Sequence, residues 1–145
     1  MKKNRTNQAF SLVEMIVILG ILAILIALSV FSSAGLKAEN RNTKRVSDIK
    51  QIQLALDMYR RESGHYPNEL NFGEEFKNEE TGTIFIKKLP NNPRPRDDGD
   101  CPDQDYQYTY NSSNDTYALS FCISDSVGNL EAGSYQANHS GIIKL

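Results

Sequence analysis

A chain of 145 residues is long enough for one domain and an anchor and too short for two globular domains. Its 16 basic and 18 acidic residues give a formal charge of −2, which argues against the basic face that nucleic-acid binding requires. The two histidines, His65 and His139, have no metal-ligand spacing, and no HExxH, GxSxG or phosphate-loop pattern occurs, so nothing in the composition points to an enzyme.

A short basic leader, MKKNRTNQA (residues 1–9), precedes the apolar stretch FSLVEMIVILGILAILIALSVF (residues 10–31). From Met15 to Leu36 there is no charged residue, enough as a helix to cross about 30 Å of hydrocarbon. Within lipid every backbone polar group must be satisfied inside the segment, which selects a helix. The leader's positive charge places the N-terminus in the cytoplasm and the remainder outside. The expected organisation is therefore a leader at 1–9, a membrane-spanning helix at 10–36 and an extracytoplasmic head at 37–145. A secretory signal peptide cut near Ser32-Ser33-Ala34 and a plain signal anchor are competing readings of the segment. Neither explains Glu14. A carboxylate inside a membrane helix costs about 2.5–3.5 kcal/mol on insertion scales and calls for a partner. If the chain were cut after Ala9, the new amino group on Phe10 would lie one helical turn from Glu14. The same amine on a neighbouring copy could then meet the acid within the apolar layer. The helix dipole also favours an acid in the first turn. This pattern describes a helix meant to pack against copies of itself.

The run Ala9-Phe10-Ser11-Leu12-Val13-Glu14 resembles the processing site of type IV prepilins and type II secretion pseudopilins. The resemblance implies cleavage between Ala9 and Phe10 by a prepilin peptidase and N-methylation of Phe10. It further implies a homo-oligomeric helical filament with a core of apolar helices, built by an assembly ATPase and platform protein together with minor pilins. The family usually carries Gly where this chain has Ala9, and often Pro where it has Phe31. With Gly20 and no proline, the helix is weakened there by only about 1 kcal/mol. Loss of the leader removes Lys2, Lys3 and Arg5 and leaves 13 basic against 18 acidic residues, a balance of −5.

Residues 37–45 are polar, without Gly or Pro, and read as a solvated continuation of the helix. Apolar periodicity returns at Val46, Ile49, Ile52, Leu56 and Tyr59, with Ala55 and Met58 widening the stripe. Lys44, Asp48, Gln51, Asp57 and Arg61 form the opposite, solvated face. Arg60 and Arg61 suit a last turn, Gly64 a left-handed cap, and Pro67 blocks continuation. One helix over about residues 10–63 is expected, its second half forming the wall of a core.

Residues 65–76 read as a loop and 77–80 as a solvated charge run. A short apolar run, Ile84-Phe85-Ile86, leads to Leu89-Pro90, after which Pro93 and Pro95 forbid a regular element. The pair MYRRESGHYP and IKKLPNNP is similar to the major pseudopilin subfamily, where a helix end leads through a loop to a Leu-Pro turn. Tyr106, Tyr108 and Tyr110 alternate with polar residues, as do Tyr117, Leu119, Phe121 and Ile123, with turn chemistry at 111–115. This predicts a hairpin whose aromatic face lies on the helical stripe. Pairing Tyr110 with Tyr117 sets Asp105 opposite Cys122, with Cys101 a few residues off the strand end. A Cys101–Cys122 disulfide suits the oxidising side of the membrane and closes a loop of about 20 residues, worth roughly 3 kcal/mol by chain entropy. In the tail, residues 127–129 read as a turn and 134–137 as an edge strand.

The stretch from Asp97 to Asp105 gathers five carboxylates, Asp97, Asp98, Asp100, Asp103 and Asp105. Calcium is the cation such a loop could wrap, although EF-hand spacing is missing and a solvated acidic loop is the simpler account. The resemblance implies calcium in a later loop, where this chain offers Asp125 and little else. No other cofactor is expected. His65 reads as a surface or capping residue. The triplets Asn-x-Ser/Thr at Asn111, Asn114 and Asn138 are expected by chance in a tail rich in Asn, Ser and Thr. The overall expectation is an α+β, pilin-like fold: a long N-terminal helix on a small antiparallel sheet. Its function would be that of a structural subunit of a type IV pilus-like filament. The alternatives are a pseudopilin of a type II secretion system and a membrane-anchored binding domain that does not polymerise.

Overall fold

A computed structural model describes the backbone at residues 11–31 and 33–145, and the side chains of those residues outside 28–36. The Ala9–Phe10 junction and the continuity of the helix through Ser32 lie outside the described residues. The chain divides into two units, Met1–Leu36 and Lys37–Leu145.

In the first unit, α1 (Leu12–Phe31) is a helix of 20 residues, about 30 Å long. It opens with the Met15 N–H donating to the Ser11 carbonyl at 3.2 Å. Among the described residues no helix is long and apolar enough to cross a membrane, and the described side chains of α1 reach only to Ala27.

The second unit is built on residues 37–63 of α2 (Ser33–Ser63). Val46, Ile49, Ile52, Ala55 and Leu56 are buried, as their spacing predicts. Two expectations about the stripe and its opposite face are corrected. Met58 is 40% exposed rather than part of the core stripe, and Asp48, assigned to the solvated face, is only 4% exposed. Asp48 tolerates burial because Lys44 Nζ lies 2.9 Å from one of its oxygens, while the Tyr106 hydroxyl donates to the other at 3.4 Å. The helix ends as anticipated. Gly64 takes φ +81°, and its N–H donates to the Arg60 carbonyl at 2.8 Å, a left-handed cap that L side chains rarely adopt.

Beyond the cap, β1 (Phe76–Lys77) and β2 (Ile84–Ile86) pair as an antiparallel ribbon. Residues 77–80 are thus not simply a solvated run, since Lys77 lies in a strand and Asn78 is buried. Asn78 Nδ2 donates to Ser63 Oγ at 2.9 Å, and its Oδ1 accepts the Glu80 N–H at 2.9 Å, so one amide ties the helix end to the ribbon turn. No helix or strand intervenes between β2 and Gln107, in keeping with the prolines.

The main sheet has four antiparallel strands in sequential order: β3 (Gln107–Asn111), β4 (Thr116–Ile123), β5 (Gly133–Asn138) and β6 (Gly141–Lys144). Tyr110 pairs with Tyr117, the register read from the alternation. Along β4 the side chains alternate between half-buried and buried, and Tyr117, Leu119, Phe121 and Ile123 form the inner row. These residues join Ile49, Ile52, Leu56 and Tyr106 in one core between α2 and the sheet. The tail holds more structure than expected. β5 is an interior strand, not an edge, with Tyr135 stacked on Phe121 at 5.6 Å and Ala137 buried beside Leu119. The edge on that side is β6, four residues whose composition carries no periodicity to read.

Candidate assembly surface and the seal of the head

Every described side chain of α1 from Leu12 to Ala27 is exposed, including Leu12 at 75%, Ile16 at 60% and Ile26 at 64%. All are apolar except Glu14, which sits exposed in the first turn. Apolar surface on this scale is stable only when lipid or another apolar surface covers it. Glu14 is four residues after Phe10, whose amino group lies outside the described residues.

The head carries a second constellation, which sequence reasoning missed. Asn42 and Arg45 were expected on a solvated stem, yet both are fully buried. Arg45 Nε donates to Asn92 Oδ1 at 2.8 Å and Nη1 to Asn42 Oδ1 at 2.7 Å. Its Nη2 donates to the Pro95 and Arg96 carbonyls, each at 3.2 Å, and to Asp98 Oδ2 at 3.1 Å. Arg41 Nε reaches the same oxygen at 2.6 Å while its Nη2 takes Asp98 Oδ1, a two-pronged pair. That hydrogen bonding from Arg41, reinforced by Arg45, holds the Asp98 carboxyl below its usual range despite burial. Asn42 Nδ2 continues the network to Ser124 Oγ at 3.0 Å, at the end of β4.

The acidic loop is therefore divided in its chemistry. Asp98 is spent on the two arginines. Asp105 accepts the N–H groups of Asn92 at 2.7 Å and Tyr106 at 2.9 Å and is paired with Arg96. Asp97, Asp100 and Asp103 are exposed. Among the described residues no group of three or more His, Cys, Asp or Glu could hold a metal ion. In the later loop Asp125 accepts the Ser126 N–H at 2.7 Å, and Glu131 pairs with Lys144 at 2.9 Å. His65 is exposed, its Nδ1 2.9 Å from the Tyr66 carbonyl.

Cys101 and Cys122 form the disulfide read from the sequence, with Cα atoms 5.6 Å apart, and it fastens this loop to β4. Close packing follows at Gly99, where φ is +57° and an added Cβ would stand 3.1 Å from Ser124 Cβ. The missed signal was spacing: Asn42, Arg45, Val46, Ile49 and Ile52 continue one helical stripe, so its polar end had to be buried too.

The model of the prokaryotic N-terminal methylation motif matches residues 4–30. The chain is similar to the type II secretion system core protein G of Vibrio cholerae serotype O1, 33% identical over 96 residues that cover 66% of this chain and 59% of that protein. It is likewise similar to the protein of that name in Aeromonas hydrophila, 32% identical over 100 residues, 63% of this chain and 70% of that protein. The Pseudomonas aeruginosa protein gives the same identity and coverage. No solved structure matches significantly. With its methylation motif, its helix-and-sheet head and these relatives, the chain belongs to the type II secretion system core protein G family of type IV pilin-like proteins.

Proposed function

We propose that this chain is a structural subunit of a pilin-like filament, polymerising through α1 after removal of residues 1–9. The observation that carries the proposal is the exposed apolar surface of α1 from Leu12 to Ala27, with a single acid, Glu14, in its first turn. Before assembly the helix is covered by lipid, with the N-terminus in the cytoplasm and the head outside. In the filament, neighbouring helices take the place of lipid, and each Glu14 meets the methylated amine of Phe10 on an adjacent copy. A prepilin peptidase, a platform protein, an ATPase and minor pilins are the partners this route requires. The relatives' name favours a secretion filament in the periplasm over an extracellular pilus.

Mass spectrometry of the mature N-terminus tests the reading. Methylated Phe10 is the expected result. A chain beginning at Gly35 would mark a secreted protein, and an intact Met1 a plain anchor; either would overturn the proposal.

A further inference from the structure

The Asn-x-Ser/Thr triplets of the head are separated in sequence, but the sheet gathers them at one end. β3 finishes at Asn111 and β4 begins at Thr116, while β5 finishes at Asn138 and β6 begins at Gly141. Because β3 to β6 are antiparallel in sequential order, the β3–β4 and β5–β6 turns lie at the same end of the sheet. The Cys101–Cys122 bridge lies toward the other end, where β4 finishes. A groove of about 400 Å³ near this shared end is lined by Asn111, Thr116, Asn138 and His139 among others, so it holds a member of each triplet.

The three asparagines also share a local geometry. Ser113 N–H donates to Asn111 Oδ1 at 3.0 Å, Thr116 Oγ1 to Asn114 Oδ1 at 2.7 Å, and Ser140 N–H to Asn138 Oδ1 at 2.8 Å. In each case the carboxamide oxygen is engaged by the residue two positions on. Asn111 and Asn114 are exposed, and Asn138 is half-buried. Asn114 is distinct in that the hydroxyl of its own triplet makes this contact, polarising the carboxamide from the oxygen side.

We propose that this end of the sheet is an acceptor site for an N-linked saccharide, with Asn114 the principal acceptor. The donor class is a lipid-linked glycosyl diphosphate, which an external transferase would present to an extracytoplasmic head. The Asn114 Nδ2 attacks the anomeric carbon and forms the N–C bond. The bond from that carbon to the diphosphate oxygen breaks, the lipid diphosphate leaves with the electron pair, and the amide loses one proton to a base of the transferase. The groove's amide and hydroxyl groups offer the hydrogen-bonding surface that a first sugar ring takes. The proposal rests on the outward placement of the head given above.

The test is the mass of the full chain purified from its native host, with peptide mapping of residues 106–145. A saccharide mass on the peptide carrying Asn114 is expected. It should be lost in Asn114→Gln and Thr116→Ala and restored in Thr116→Ser, and the N-terminal peptide should be unaffected by all three. Processed Phe10 with bare asparagines overturns the acceptor site and leaves the filament reading standing. An intact Met1 with bare asparagines overturns both. Saccharide persisting unchanged in Thr116→Ala overturns the role given to Asn114.

Discussion

Arg45, fully buried on α2, donates to Asp98 at 3.1 Å across 53 residues of chain. The guanidinium is tolerated there because each of its nitrogens finds an acceptor, and because Asp98 supplies the countercharge. Asp98→Ala leaves that charge buried without compensation and is expected to cost about 3–5 kcal/mol. Arg41→Ala leaves Arg45 paired and should cost less. Denaturant unfolding of both variants in detergent checks the order; an Asp98→Ala loss below that of Arg41→Ala would remove Arg45 from the centre of the seal.

Acid should open the same seal. Asp98 is held below the ordinary carboxylate range by Arg41 first and Arg45 second, and Asp115 by the Tyr66 N–H first and then by Arg60. A depressed folded pKa makes the stabilising contribution complete above the unfolded carboxylate value of about 4, and that contribution is lost as pH falls below it. Melting temperature is therefore expected to drop steeply below about pH 4, and Asp98→Asn to flatten that limb. At the other extreme burial pushes the Tyr106, Tyr108 and Tyr117 hydroxyls up. The unfolded chain then ionises first, so stability falls as pH rises above about 10. A melting profile over the full pH range reads both limbs.

The disulfide closes a loop of 21 residues, which chain entropy values at about 3 kcal/mol. Replacing both Cys101 and Cys122 by Ser should lower stability by that order. It should also raise amide exchange across residues 90–105 more than in β4. Uniform exchange across the head would show that the bridge does not hold this loop in particular.

Glu14→Ala should leave cleavage and membrane insertion intact, since removing a carboxylate lightens the insertion cost by about 2.5–3.5 kcal/mol. Filament yield is expected to fall to background. Electron microscopy of sheared material, with N-terminal mass as the control for processing, reads the outcome; normal filaments from this variant would dismiss the pairing with Phe10.

The sequence made the apolar skeleton legible because burial leaves a periodic trace. Val46, Ile49, Ile52 and Leu56 recur at helical spacing, and the alternation around Tyr110 and Tyr117 carried even the strand register. The polar interior left no such trace. Arg45, Asn42 and Asp48 look like solvent-facing letters, since their distant partners, Asn92, Asp98, Tyr106 and Ser124, come from 47 to 82 residues further on. Asn78 was hidden for the same reason among charged neighbours, and β6 was too short to show a period. For the N-terminal segment, the structure of one copy does not display the partner proposed for Glu14, which would be another molecule.

The head helix and its central strand are commensurate. Asn42 meets Ser124 at one end, and Arg60 meets Asp115, 2.8 Å away, at the other. The helical interval from Asn42 to Arg60 measures about 27 Å at 1.5 Å per residue, and the extended interval from Asp115 to Ser124 about 30 Å. One residue inserted in the helix between these clasps would turn its far end by about 100° and carry Arg60 away from Asp115. Tolerance for added or lost residues should accordingly be confined to the joints at 67–75 and 125–132, while the measured stretch between the clasps keeps a constant length.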